Sequence, residues 1–586
     1  MTRRRCVLIA CLLTALSASA AVKNPDTFVY AAIGDIDSFD PAWAYDSASQ
    51  NVIANVYEYL LAFKGSGTAI QDLTPRLSEK VPTRANGLIS PDGLTYRFPI
   101  RKGVKFHDGS ILTPEDVRYS LLRFLLTDRD GGPSSLLIQP LLGLGSTRRN
   151  GKPVPGLYER AAKAVSVEGN AVVLRLPKPF APFLTILTGF GAVISKSWCV
   201  AQKQWDGRAA TWESFNNPQH DSVIPNTEAN GTGPFKLERF DRNLSQVTLA
   251  RHDAYWRGPA KLTRVVIKKI DEFATRKLLL QAGDVDAIYG PQMYFPQLQG
   301  LEGVQVIDGL APIETATFLA FTFHLNASGN GNIGSGRLDG EGIPPDFFTD
   351  KDVRKAFAHC IDFDAYIRDV QRGKGSRSPG IIPPGLVGRR KKAPRLNFDP
   401  GLATEYFKKA WGGKVWEKGF RVSIVFNTGA APLQTLSQMI KKNVETLNPK
   451  FKIDVHVVQW STFLEQTQGH KIPMFIGAWN ADYPDPHNFA FPLAHSAGYY
   501  PSKQGYSNAQ IDRLIEEAAF TLDETKRAAL YGRMQDLLDE DLPLVPIAEG
   551  VRYRAQRTWV KGFVFKPTFP DMPYGGDYYE LSKSEE

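Results

Sequence analysis

The chain has 586 residues, of which 43% are hydrophobic, 11% aromatic and 22% charged, with a formal net charge of +9. This is a globular balance, and it excludes wholesale disorder and a coiled coil. Nucleic-acid binders can be this basic but gather the charge on a stripe or tail; here acids and bases alternate along the chain, and no nucleic acid is expected as a partner.

The first element predicted is a signal peptide over 1–20. Arg3, Arg4 and Arg5 precede an apolar run over 7–16 and then Ser17-Ala18-Ser19-Ala20-Ala21. A basic start, a short apolar stretch and an A-x-A site mark secretion, with cleavage after Ala20. The run is about half of what a membrane span needs. An alternative is lipid attachment, because Leu8-Ile9-Ala10-Cys11 resembles a lipobox, although almost no apolar stretch precedes it. Removing the three arginines, with no acid among them, lowers the charge from +9 to +6. Cys6 and Cys11 leave with this segment, so Cys199 and Cys360 remain, without a C-x-x-C. That pattern fits two small buried apolar residues better than a zinc site or a disulfide framework.

In chain order, a strand is predicted over 27–33, a loop over 34–41 and a helix over 49–61. Leu94, Tyr96, Phe98 and Ile100 alternate onto one side of a hairpin-like region. Thr113-Pro114-Glu115-Asp116 starts a helix: Thr caps, Pro suits the first turn and the acids face the positive end of the dipole. The region 131–182 is rich in Pro and Gly, with short strands such as 171–176. Strands follow at 233–240, 246–251, 262–270 and 284–289, with a helix over 275–282 before the last. The second half reads as α/β. It opens with a strand over 317–325 and a helix capped at Thr349-Asp350-Lys351-Asp352. A β-α-β unit over 420–426, 433–447 and 452–458 has apolar strands suited to a parallel pair. A third strand over 474–479 leads into Asn480-Ala-Asp-Tyr-Pro-Asp-Pro486. Helices over 507–520 and 523–538 and a strand over 542–547 follow. There are no repeats of 20–50 residues.

Enzyme motifs fail on context. Gly329-Asn-Gly-Asn-Ile-Gly334 matches G-x-G-x-x-G, but no apolar helix follows it to receive a pyrophosphate. Ala494-His-Ser-Ala-Gly498 lacks the first Gly of a nucleophile elbow. HExxH and GxxxxGK[ST] are absent, and the nine His are scattered. His487 alone suggests a turn or core residue before a metal ligand. Arg389-Arg-Lys-Lys392 reads as a solvated loop. No cofactor, metal site or catalytic set is expected.

Several segments together resemble family 5 of the extracytoplasmic solute-binding proteins of bacterial ABC importers, the dipeptide, oligopeptide and nickel receptors. They are Ser38-Phe-Asp-Pro41, the stretch from Asp92 through Arg101-Lys-Gly-Val-Lys-Phe-His-Asp-Gly109 into Leu112-Thr-Pro-Glu-Asp-Val117, Gly231-Thr-Gly-Pro-Phe235, His252-Asp-Ala-Tyr-Trp256, Ala282-Gly-Asp-Val-Asp286, Val353-Arg-Lys-Ala-Phe357 and Trp479-Asn-Ala-Asp-Tyr-Pro-Asp-Pro486. The resemblance implies an α/β, two-lobed periplasmic binding protein (class II, cluster C type) with a small extra domain inserted in the first lobe. Lobe I would comprise 21–62, 178–308 and 549–586, the inserted domain 63–177 and lobe II 309–548.

It also implies a site. In peptide-binding members a carboxylate at the position of Asp482 grips the ligand's α-amino group, which a buried ammonium requires. Against this stands a turn in which Asp482 only caps. Trp479 and Tyr483 would wall an apolar pocket or belong to the core. Asn480 lies in the same segment. Ser38 and its neighbours would offer backbone groups to an extended ligand. The function implied is a periplasmic, monomeric receptor that captures a peptide between closing lobes and presents it to a membrane permease. Alternatives are another cargo (a nickel chelate, which a carboxylate at 482 speaks against, an oligosaccharide or an opine-like solute) and, more distantly, a secreted hydrolase.

Overall fold

The computed structural model describes residues 22–315, 317–392, 396–568 and 576–585. The expected signal peptide and Cys11 lie outside the described residues.

Two mixed sheets organise the chain. The first has seven strands in the order Val304–Leu310, Arg552–Arg557, Ala287–Ile288, Thr27–Ala32, Arg264–Lys269, Gln246–Arg251 and Phe235–Asp241. Thr27–Ala32 sits at its centre, parallel to both neighbours. Its run Phe-Val-Tyr-Ala-Ala is buried throughout, as expected of a parallel strand covered on both faces. The second sheet has six strands, Gly375–Arg377, Leu544–Gly550, Thr317–Phe321, Met474–Gly477, Phe420–Asn427 and Phe451–Val458. The last two pair in parallel from Phe420 opposite Phe451 to Asn427 opposite Val458, with the helix Ala431–Leu447 crossing between them. This is the β-α-β unit that the alternation of apolar runs predicts.

The chain passes between the sheets twice, once after Val304–Leu310 and once at Val551, between Leu544–Gly550 and Arg552–Arg557. Arg552 forms an ion pair with Glu314, so the two crossing segments are clipped to each other. A two-lobed α/β molecule joined by two crossings is the architecture that allows hinge closure.

A third, three-stranded antiparallel sheet, Thr95–Pro99, Ala171–Arg175 and Val165–Glu168, lies beside the first lobe. The helix Pro114–Thr127 backs it and starts where the capping pattern places it: Thr113 N–H donates to Asp116 Oδ2 at 2.9 Å, and Asp116 N–H to Thr113 Oγ1 at 3.3 Å. This part has no separate core. One apolar cluster runs from Phe28 in the first sheet through Leu122 to Phe183. Arg123, 6% exposed, binds the fully buried Asp40 with both nitrogens at 2.6 and 2.5 Å, a bidentate pair that pins the helix to the loop after the first strand.

Several of the segments that carry the family resemblance converge on packing. His107 and His252 both bond the Gly233 carbonyl at 3.1 Å. Buried Glu58 accepts from Tyr255 at 2.8 Å, Trp256 at 3.0 Å and Thr232 at 2.9 Å. A Cβ at Gly233 would stand 2.6 Å from the Asn55 carbonyl oxygen, so only glycine fits. Asp286 takes Val29 N–H at 2.7 Å, the Trp559 indole at 2.7 Å and Lys583 at 2.8 Å, which straps the C-terminal tail to the first sheet.

One expectation changes in detail and one holds. Lys391 and Lys392 are exposed, but Arg389 and Arg390 are half-buried in ion pairs, Arg389 with Glu549 and Arg390 with Asp536 and Asp539, because an enclosed carboxylate such as Glu549 recruits the nearest cation. Gly331–Ile333 is a single 3-10 turn without a flanking strand or long helix. Cys199 and Cys360 are free and buried.

Candidate functional site

The strand Met474–Gly477 ends at the mouth of the cleft and delivers the segment 478–486, the place where ligands meet sheets of this kind. Asp482 is 5% exposed there. Its Oδ2 accepts from Tyr45 O–H at 2.8 Å and from Asn488 Nδ2 at 2.8 Å, and its own N–H donates to Asn488 Oδ1 at 2.9 Å. Tyr45 belongs to the first lobe, 437 residues away in sequence, so this contact bridges the lobes. Among the described residues no lysine or arginine is ion-paired with Asp482 and no hydrogen bond falls on its Oδ1. Burial pushes its carboxyl up to about 6, against the lowering effect of Asn488 and Tyr45. Burial and the neighbouring carboxylate hold the Tyr45 phenol well above its usual range.

Trp479 is half-buried beside it. Its indole N–H donates to Asn488 Oδ1 at 3.2 Å, and its ring lies 6.4 Å from Tyr45 and 5.4 Å from Tyr499 between centroids. Its backbone pairs with Thr315 of the first crossing at 2.8 Å. Asn480 faces the hinge, with its side-chain oxygen 3.3 Å from Arg552. Asp482, Trp479 and Asn480 therefore share one wall of the cleft.

Tyr483 and Ser38 lie elsewhere. Tyr483 is 2% exposed, shares a 2.8 Å hydrogen bond with His487 Nδ1, and packs in the first-lobe core cluster. Ser38 is fully buried; its N–H is taken by Ser49 Oγ at 3.2 Å and its hydroxyl by Asn226 at 2.5 Å. With that bond made, the Ser38 N–H is not offered to a ligand. His487 is buried and held neutral, its pKa pushed down to about 3 by burial and the nearby Arg527. Among the described residues no group of three or more His, Cys, Asp or Glu is placed to hold a metal ion, and no helix is long and apolar enough to cross a membrane.

Next to this wall, a cavity of about 310 Å³ lies between the lobes at the crossings. Tyr30 and Tyr289 line it from the first lobe, Tyr366 and Leu433 from the second, and Glu314 and Arg552 from the hinge. Thr315 and Ala478 reach it, so it begins where Trp479 ends. Tyr45, Glu314 and Arg552 went unrecognised in the sequence, because a lone Tyr in a loop and an acid and a base 238 residues apart give no local signal. The arrangement can bind a small solute carrying a cationic N–H donor group: an enclosed carboxylate lacks a counter-charge, aromatic rings flank it, and both lobes close over it.

Comparison with known proteins identifies the family. Residues 72–501 match the family described as bacterial extracellular solute-binding proteins, family 5 Middle. A heme-binding protein A of Haemophilus influenzae is 25% identical over 95% of this chain and 93% of its own length. A dipeptide-binding protein of Escherichia coli is 25% identical over 95% of both chains. Among solved structures, the dipeptide binding protein of Pseudoalteromonas sp. SM9913 in complex with Met-Leu superposes with a TM-score of 0.72, at 22% identity, over 95% of this chain and 100% of that one. The chain belongs to family 5 of the bacterial extracellular solute-binding proteins, the substrate-binding components of ABC importers.

Proposed function

We propose that this protein captures short peptides with a free N-terminus and hands them, enclosed between its lobes, to a membrane permease without transforming them. The observation that carries the reading is Asp482, a buried carboxylate without a paired cation among the described residues, against which the opposite lobe sets Tyr45. An ammonium group supplies the missing charge and up to three N–H donors. The dipeptide name of the Escherichia coli relative and the Met-Leu complex support it. Asp482 anchors the amino group, Trp479 covers it, and Asn480 holds the hinge side; Ser38 and Tyr483 act behind the wall. The crossings at 311–315 and 551 support the division into lobe I (21–62, 178–308, 549–586), inserted domain (63–177) and lobe II (309–548). The protein works as a monomer outside the cytoplasmic membrane after cleavage behind Ala20.

Native mass spectrometry of protein purified from its host without unfolding tests the cargo. A bound mass matching a peptide is expected, and a non-peptide mass overturns the reading. N-terminal sequencing is expected to begin at Ala21; a lipid-modified Cys11 replaces cleavage with anchoring.

A further inference from the structure

The lobes touch at a second place, away from the crossings. The segment 177–182 links the strand Ala171–Arg175 of the small sheet to the helix Phe183–Ile186. From it Phe180, 2% exposed, reaches the second lobe. Its ring stands edge-on to His487, with centroids 5.3 Å apart at 81°, and 6.1 Å from Phe520. The next residue, Ala181, donates its N–H to the Ala519 carbonyl at 3.1 Å. Ala519 lies in the last turn of the helix Ala509–Phe520, where carbonyls have no partner within the helix. Lys178 lays its ammonium 5.1 Å over the Phe520 ring. Tyr483 and Ala519 are drawn by this contact into the core cluster of the first lobe.

The partner of Phe180 is not incidental to the cleft. His487 bonds Tyr483, and the residue after it, Asn488, bonds Asp482 twice and Trp479 once. One turn, 482–488, therefore carries the ligand wall on one side and the seat of Phe180 on the other. A hinge motion that separates the lobes must lift Phe180 from that seat and expose apolar rings on both sides, which is unfavourable in proportion to the area uncovered.

We propose that Phe180 is a closure latch, a positioning residue that stabilises the closed state and, through His487 and Asn488, sets the Asp482 wall in its ligand-gripping form. The latch goes beyond the cargo reading: it requires two lobes that close, and it holds whatever solute the cleft takes.

Spin-label distances test it. Leu244, 66% exposed in the first lobe, and Val457, 47% exposed on the edge strand of the second, accept labels as Leu244→Cys and Val457→Cys, while the native Cys199 and Cys360 are buried. In the ligand-free protein a short-distance, closed component is expected. Phe180→Ala is expected to lower the closed-to-open ratio about 30-fold, the scale of a buried aromatic anchor at an interface, and Phe180→Leu to restore most of it. Thermal unfolding should stay cooperative in both variants; a merely structural Phe180 would lower the melting temperature and leave the distances alone. A wild type without a closed component, or a distribution that Phe180→Ala leaves in place, overturns the latch. With trialanine as probe, Phe180→Ala should release it faster at a nearly unchanged association rate; equal release rates count against the latch. A wild type that ignores trialanine defeats the peptide reading, while the distances still decide the latch.

Discussion

Asp482→Asn tests the ligand anchor, because an anchoring carboxylate gives the substitution opposite signs in the ligand-free and the ligand-bound protein. Asparagine keeps the volume and an oxygen for Tyr45 and Asn488, and it removes only the charge. With Tyr45 of the first lobe against it, burial pushes the carboxyl up to about 6, against 3.8 when solvated. A difference of roughly two units corresponds to about 3 kcal/mol at neutral pH. Its sign follows from linkage: a carboxyl whose pKa is raised on closing adds stability below its solvated pKa and loses it as the pH climbs through about 6. The wild type should thus become less stable between pH 4 and 7 through this group, and Asp482→Asn should lack that slope and be the more stable variant at pH 7. A bound ammonium reverses the balance. It pairs with the carboxylate, and removing the anion leaves it buried and unpaired, a loss of about 2–5 kcal/mol, or roughly 30-fold to several-thousand-fold in affinity. Calorimetry with an unblocked peptide and its N-acetylated form measures both arms. The substitution and the acetylation delete one contact, so their effects should not add. Binding within about twofold of the wild type, a difference of about 0.4 kcal/mol, refutes the anchor.

Tyr45→Phe removes the hydrogen bond that the first lobe lends to Asp482; it should weaken closure by about 1–2 kcal/mol, read by small-angle scattering as a larger ligand-free radius. His107 and His487 are both held near a pKa of about 3 by burial. A histidine kept neutral adds stability above pH 6.5 and loses it as the pH falls, so each should withdraw about 2 kcal/mol by pH 5, and an NMR titration midpoint above 6 for either ring would contradict this. Lys583→Met breaks its 2.8 Å pair with Asp286, where both side chains are 2% exposed; urea unfolding should register about 3–5 kcal/mol. Gly233→Ala forces a methyl toward the Asn55 and Val56 carbonyls and should lower stability by about 1–3 kcal/mol or more in thermal melts.

Much of the fold was legible because it is written in local periodicity. The parallel pair at Phe420 and Phe451, its crossing helix and the capped helix at Pro114 follow from apolar spacing and cap chemistry that neighbouring residues carry. The loop at Arg389 was misread because its partner, Glu549, lies 160 positions on and gives no sign of its burial. The site was half legible for the same reason. Asp482, Trp479 and Asn480 lie in one short segment and could be named together. Tyr45, which completes the carboxylate's surroundings, and Phe180, which seats the same turn from behind, belong to the opposite lobe and are brought there only by closure.

Of the segments that carry the family resemblance, 479–486 lies at the cleft, while those at His107, Gly233, His252 and Asp286 serve packing. His107, Gly233, His252 and Glu58 form one buried cluster, and Asp286 fastens the tail. Each position satisfies a buried polar group or admits a backbone, and such demands are independent of cargo. The cavity at the crossings is lined from loops and strand ends of both lobes, where side chains can change without disturbing a core. The turn 482–488 stands between the two regimes. Asp485 in it is locked by Arg527 at 2.7 Å and His487 by Tyr483 at 2.8 Å, so its frame is fixed by packing, while Asp482 stands on the side that the proposed anchor role requires. A rigid frame presenting one uncompensated charge gains affinity by ordering little on binding, and this is how one fold can keep its lobes constant and vary what they close on.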